Sequence, residues 1–204
     1  MIKIIAFDYA GVIKITKNDL IGKITDYLKI TKDEWRKEYF LLNHLINVEN
    51  QPPEEVFLRV VSKFSDIPET LAHVQNLLAE NEKSWKLNIE IIDLIKNLRS
   101  QKYHIALLSN NTIKLRQELK DDGIYNLFDT VIISAEVGLQ KPDPKIFEYL
   151  FSQVNVKSNE VIFIDDSKKS LSGSDEIGYY PILYKDMNSL KKSLEFALSS
   201  QVDN

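Results

Sequence analysis

Three short apolar runs in this chain each stop on polar side chains, and that pattern restricts the fold more than any other feature. Ile2 to Phe7 ends at Asp8, Val161 to Ile164 ends at Asp165 and Asp166, and His104 to Leu108 ends at Ser109, Asn110 and Asn111. Runs this rich in Ile, Val and Leu suit strands buried on both faces. Packing alone does not explain why each should end in a group that wants water. If the strands are parallel neighbours, their polar ends meet at the carboxyl edge of one sheet, where open α/β folds bind ligands.

Two more strand-like runs, residues 129–134 and 180–184, complete a set of five with 2–7, 103–108 and 161–165. Helical periodicity fills most of the intervals between them. Residues 89–100 carry Ile91, Ile92, Ile95 and Leu98 on one face, with Leu94 alongside. Residues 143–153 carry Ile146, Phe147 and Leu150, and 188–199 read as a closing helix docked on the outside. Alternating β and α units imply a parallel sheet covered on both faces.

Residues 16–86 break the alternation and hold no convincing strand. Thr31-Lys32-Asp33-Glu34 has the spacing of a capping box and predicts a helix through Leu45. Pro52-Pro53-Glu54-Glu55 opens another through Phe64, with acids suited to a helix amino terminus. Residues 68–84 form a further helical pattern. The expected organisation is therefore an α/β fold with a Rossmann-like parallel sheet sandwiched by helices, formed by residues 1–15 and 87–204. An inserted all-helical cap, residues 16–86, would lie over the strand ends. There is no internal repeat and no low-complexity segment.

Composition narrows the chemistry. The net charge of −4 gives no electrostatic footprint for nucleic acid. With no cysteine there is no disulfide, no thiolate nucleophile and no Cys-ligated zinc. The amino-terminal apolar stretch is short and broken by Lys3 and Asp8, unlike a signal core, and nothing approaches the length of a membrane span. A cytoplasmic protein with neither nucleic-acid nor membrane partners is the expectation. Oligomeric state leaves no signature.

The adjacent carboxylates of Asp165 and Asp166 repel each other, and placing both at a strand end makes sense if a cation sits between them and Asp8. An all-oxygen site of this kind suits Mg²⁺. The segment Gly138-Leu139-Gln140-Lys141-Pro142-Asp143-Pro144 sets a lysine on a stiff loop just before a helix, fixing positive charge near the sheet edge.

Four segments in order, Phe7 to Val12, Leu108-Ser109-Asn110, Gly138 to Pro144 with Ile146-Phe147, and Phe163 to Ser167, resemble the motifs of the haloacid dehalogenase-like hydrolase superfamily. The likeness is to its capped, phosphatase-rich branch. Gly178 before the fifth strand also fits, and the insertion resembles that family's helical cap in position and helicity only. The resemblance implies that Asp8 is a nucleophile forming an aspartyl-phosphate. It implies that Ser109 hydrogen-bonds a phosphoryl oxygen and that Lys141 neutralises charge on the nucleophile and the transferring group. Asp166 would bind Mg²⁺ directly and Asp165 directly or through water, with the Ala10 carbonyl as a further ligand, and Asn110 would join Ser109 and Lys141 in binding the substrate, supporting the site from behind. The implied activity is Mg²⁺-dependent hydrolysis of a small phosphate monoester, a sugar phosphate among the candidates, so the expected partner is a small phosphorylated metabolite.

Two departures stand out. Most phosphatases of the family place a second aspartate, the general acid and base, two residues after the nucleophile, where this chain has Ala10. Four residues after Asp166, where related chains often have Asn or Asp to support the metal, it has Ser170. Three readings of Ala10 stay open. The leaving group needs little protonation, as in anomeric or acyl phosphates, or the donor comes from cap or solvent. The chemistry is instead dehalogenase-like or phosphonoacetaldehyde hydrolase-like, the latter sharing an Asp-aromatic-Ala-Gly start. Or the chain is a catalytically weak member that binds phosphorylated ligands or a partner. Tyr39, Asn43 and His44 are candidates to face the substrate from the cap, with packing the simpler role for His44. Trp35 and Trp85 read as cap-core or hinge anchors, and Tyr9 as a backbone contributor to the first loop.

Overall fold

The structure is a computed structural model that describes residues 1–199; residues 200–204 of the expected core segment lie outside it. Its strands are β1 (Ile4–Phe7), β2 (Lys14–Ile15), β3 (Lys86–Leu87), β4 (His104–Ser109), β5 (Thr130–Ile133), β6 (Val161–Asp165) and β7 (Tyr180–Leu183). The helices between β2 and β3 are α1 (Leu20–Leu28), α2 (Lys32–Asn47), α3 (Pro53–Val61) and α4 (Pro68–Ser84). Those after β3 are α5 (Ile89–Ser100), α6 (Leu115–Asp121), α7 (Ser134–Val137), α8 (Pro144–Val154), α9 (Ser174–Ile177) and α10 (Met187–Ser199).

Five strands form one parallel sheet in the order β5-β4-β1-β6-β7. The side chains of β1 alternate between two apolar layers, as strand geometry requires. Ile5 and Phe7 pack with Ile105, Leu107, Ile162 and Ile164 beneath α5 and α10. Ile4 and Ala6 face the other way, with Ala106, Leu108 and Phe163 against Ile146, Phe147 and Leu150 of α8. Burying both faces explains why these strands read as unbroken apolar runs.

Register places the polar ends together. Phe7 aligns with Leu107 on one side and Ile164 on the other, so Asp8, Ser109 and Asp165 emerge at the same edge. From β1 the chain moves outward to β4 and β5, then crosses to β6 and β7 on the opposite side. The connections diverge at β1 and β6, which opens a crevice between Asp8 and the Asp165-Asp166 pair.

The four helices between β2 and β3 have their own apolar cluster, built on Leu20, Ile24, Trp35, Val60, Val74 and Leu77. The Thr31–Glu34 capping box forms at both ends, with Glu34 N donating to Thr31 Oγ1 at 3.1 Å and Thr31 N to Glu34 Oε2 at 2.8 Å. An antiparallel ribbon absent from the sequence reading ties the two ends of this helical segment: Lys14 pairs with Leu87 and Ile15 with Lys86. Asn88 extends it by donating from its backbone to Ile13 O and from its side chain to Val12 O. Thr16 and Ser84 close the top through their hydroxyls, 2.6 Å apart. Trp35 is buried inside the helical cluster, whereas Trp85 is half-buried where α4 enters the ribbon. Among the described residues no helix is long and apolar enough to cross a membrane.

Candidate active site

Asp8 leaves β1 with its backbone N–H donating to Ile164 O at 2.9 Å, so the neighbouring strand fixes the start of the loop. The loop folds back on itself at once. Ile13 and Lys14 both donate to Tyr9 O, and Gly11 donates to Lys14 O at 2.8 Å. Gly11 takes φ +85°, and a Cβ there would stand 2.2 Å from Asp166 Oδ2. Only glycine allows both the backbone turn and the approach of that carboxylate.

Lys141 is the centre of the charge network. Its ammonium lies 2.9 Å from Asp8 Oδ1 and 2.6 Å from Asp165 Oδ2, and its side chain is 1% exposed. Asn110 holds the same residue by its backbone: Lys141 N donates to Asn110 Oδ1 at 2.8 Å, and Asn110 Nδ2 donates to Lys141 O at 2.9 Å. The end of β4 therefore sets where the lysine loop sits. Asp165 accepts a second bond from Ser167 N at 2.7 Å, so both of its oxygens are engaged. Ser109 is buried at the tip of β4, and its hydroxyl makes no hydrogen bond to the described residues. That leaves it available to a ligand, and it caps no helix.

Carboxylates of Asp8, Asp165 and Asp166 offer oxygens all within 4.8 Å of one another. Burial pushes the Asp8 carboxyl above the ordinary aspartate range; Lys141 pulls it back, and Asp165 adds to the rise. Lys141 is raised despite its burial, because two carboxylates hold its proton in place. Both directions are compatible, since one ammonium is shared between Asp8 and Asp165. Asp166 opens onto the cleft yet is pushed up to about 6, first by desolvation and then by Asp8 and Asp165. Three carboxylates thus surround one ammonium, and the surplus negative charge and all-oxygen donor set fit a small divalent cation.

Among the described residues, side chains of the helical insertion meet the sheet unit through Asn47, Asn50 and Phe40. Asn47 of α2 donates to Gln140, next to Lys141, at 2.9 Å. Asn50 accepts from Ile113 N at 2.9 Å, in the loop after β4. The ammonium of Lys169, three residues beyond Asp166, lies 3.3 Å from the ring centre of Phe40 on α2. Of the cap candidates, Tyr39 does not face the cleft: it packs against Phe57, 5.4 Å between ring centres, in the cap's own cluster. His44 is exposed and turns to Glu49, 3.6 Å away, and Asn43 is half-buried. Tyr9 contributes backbone to the first loop, while its hydroxyl points away to Glu118 and Asp122, which also hold Lys14. Gly11, Ser167 and the cap contacts of Gln140 and Lys169 were not singled out in the sequence. Of these, only the glycine after an acid-bearing strand carried a local signal.

A profile of haloacid dehalogenase-like hydrolases matches residues 5–182. Bifunctional epoxide hydrolase 2 of Rattus norvegicus is 35% identical over 142 residues, which is 67% of this chain and 26% of that protein. The chain spans about a quarter of the length of this and two further epoxide hydrolases. D-ribitol-5-phosphate phosphatase of Bacteroides thetaiotaomicron is 25% identical over 191 residues, covering 88% of this chain and 90% of the relative. Among solved structures, a HAD-family enzyme of Bacteroides thetaiotaomicron in complex with magnesium and inorganic phosphate superposes with a TM-score of 0.63 at 19% identity, covering 93% of this chain and 99% of that one. A dehalogenase gives 0.66 at 17% identity, with 90% and 85% covered, and shares the fold.

Proposed function

The chain belongs to the haloacid dehalogenase-like hydrolases, and we propose that it is a Mg²⁺-dependent phosphatase acting through Asp8. The observation that carries this reading is the crevice between β1 and β6. There a buried ammonium is held between Asp8 and Asp165, beside the accessible carboxylate of Asp166.

Asp8 and Asp166 would hold the cation, with the Ala10 carbonyl beside them. Asp165, occupied by Lys141 and Ser167 N, would act on it through water. Bound Mg²⁺ supplies charge neutralisation for a phosphoryl group. The chain's own residues supply the rest. Asp8 attacks phosphorus with the carboxylate oxygen not bound by Lys141. Lys141 balances charge on the nucleophile and on the transferring group, without reorganising, because its backbone is clamped by Asn110. The Ser109 hydroxyl donates to a phosphoryl oxygen. The cap, resting on the core through Asn47, Asn50 and Phe40, screens the reaction from bulk water.

Relatives of this chain include phosphatases for D-ribitol 5-phosphate, phosphoserine and glyceraldehyde 3-phosphate, and these support a small phosphorylated metabolite as the substrate. Dehalogenation without metal would leave Asp166 and the glycine that accommodates it with no task. The test is phosphate release from sugar phosphates, acyl phosphates, nucleotides and an activated aryl phosphate, with Mg²⁺ and with EDTA. Turnover with Mg²⁺ that stops on chelation supports the reading; turnover indifferent to chelation contradicts it.

A further inference from the structure

We propose that the site favours acyl phosphates, whose leaving group departs without a proton, over esters of ordinary alcohols. The proposal rests on the phosphatase reading above. An alkoxide leaving group has a conjugate acid of pKa near that of water, roughly 16, and leaves slowly unless a side chain protonates it. A carboxylate has a conjugate acid of about 4 and needs no such help. Which of the two a site serves depends on whether a proton donor can reach the departing oxygen.

Among the described residues, the ionisable side chains nearest Asp8 are committed elsewhere, and the one free hydroxyl among them, Ser109, is itself an alcohol and no stronger an acid than the alcohol it would have to protonate. Ala10, exposed next to Asp8, carries only a methyl group. The Tyr9 hydroxyl lies on the far side of the loop, held by Glu118 and Asp122. Lys141 is locked between two carboxylates. Asp165 is bound to Lys141 and Ser167 N, and Asp166 sits at the cation position against Gly11.

The cap does not make up the deficit. Phe40 and Asn47, two helical turns apart on α2, both touch the core and so define its inward stripe, with Asn43 within that stripe. None of the three can donate an acidic proton. Tyr39 is turned into the cap cluster, and His44, four residues after Phe40 and three before Asn47, shares the stripe but turns its ring to Glu49, 3.6 Å away. Lys169, exposed three residues beyond Asp166, has its ammonium laid on the Phe40 ring.

The steps then balance without an enzymic acid. An Asp8 carboxylate oxygen bonds to phosphorus, and the bond from phosphorus to the acyl oxygen breaks, its electron pair leaving on the carboxylate. Water next bonds to phosphorus, and the Asp8–phosphorus bond breaks to restore the carboxylate. Both protons of the water end on the product as dihydrogen phosphate, so acyl phosphate and water give carboxylate and phosphate with no net proton taken from the protein.

The experiment measures kcat/KM for acetyl phosphate, an activated aryl phosphate, phenyl phosphate and glycerol phosphate with Mg²⁺, in the wild type and in Ala10→Asp. The wild type should lose rate steadily as the leaving group becomes more basic, with glycerol phosphate at least ~10²-fold below acetyl phosphate. Ala10→Asp should raise glycerol phosphate turnover by about 10²–10⁴-fold, and acetyl phosphate far less, flattening the series. Wild-type rates on glycerol phosphate within tenfold of acetyl phosphate would overturn the proposal while leaving the phosphatase reading intact. So would an unchanged slope in an Ala10→Asp protein whose melting still responds to Mg²⁺ with beryllium fluoride. No turnover of any member, acetyl phosphate included, would remove the phosphatase reading and this inference with it.

Discussion

Lys141 Nζ lies 2.6 Å from Asp165 Oδ2, with side-chain exposures of 1% and 0%. The same ammonium reaches Asp8 at 2.9 Å, so one buried cation stabilises two carboxylates that would otherwise repel. A buried ion pair gives little net stability against an apolar replacement, but breaking one is costly, because the survivor is left charged in a low-dielectric site. The network is better understood as setting the electrostatics of Asp8 than as a prop for the fold.

Lys141→Met should therefore lower stability by about 3–5 kcal/mol in urea titrations with EDTA present. The loss should shrink when Mg²⁺ is added, since the cation takes over part of the missing positive charge. An unchanged midpoint in EDTA would show that the two aspartates do not depend on this lysine.

Gly11→Ala places a Cβ where Asp166 Oδ2 now approaches to 2.2 Å, at a φ of +85° that alanine resists. The carboxylate must move. Mg²⁺ affinity, read by calorimetry or by the Mg²⁺ dependence of melting, should fall about 10–100-fold, the range usual when the surroundings of a metal ligand are disturbed. Wild-type affinity in this variant would place the cation away from Asp166.

A separate pH effect should arise at the amino-terminal edge of the sheet. Asp129 accepts from Ile105 N at 2.9 Å and from Arg99 at 2.7 Å. Burial alone would raise its carboxyl, but these donors outweigh that and hold it below the ordinary aspartate range. A depressed native pKa means stability that is present above the unfolded value, about 4, and is lost as pH falls through the native one. Asp129→Asn should accordingly melt below the wild type at neutral pH and converge with it in acid. A gap that persists unchanged at pH 3 would assign the effect to packing.

The strands were legible because burial on both faces removes polar residues, so the few that remain at their ends stand out. The sequence alone places Asp8, Ser109 and Asp165 at one edge, since a parallel sheet brings strand termini together whatever the exact register. The ribbon of Lys14–Ile15 with Lys86–Leu87 was not legible, because two-residue strands are too short to show a period. The side-chain directions of Tyr39 and His44 were equally hidden: both lie on one helix, and only the packing of that helix against Phe57 and the core decides which way each turns. Gly11 could be read as a turn residue, but its closeness to Asp166 joins segments far apart in sequence and appears only in three dimensions.

The nucleophilic role of Asp8 is tested most directly by phosphate release from acetyl phosphate, comparing wild type with Asp8→Asn, each with Mg²⁺ and with EDTA. Asn keeps the shape of the side chain and removes the attacking oxygen. The expected result is Mg²⁺-dependent release by the wild type and a loss of more than about 10³-fold in Asp8→Asn, with melting showing that the variant remains folded. Release by Asp8→Asn at the wild-type rate would contradict an aspartyl-phosphate at this residue.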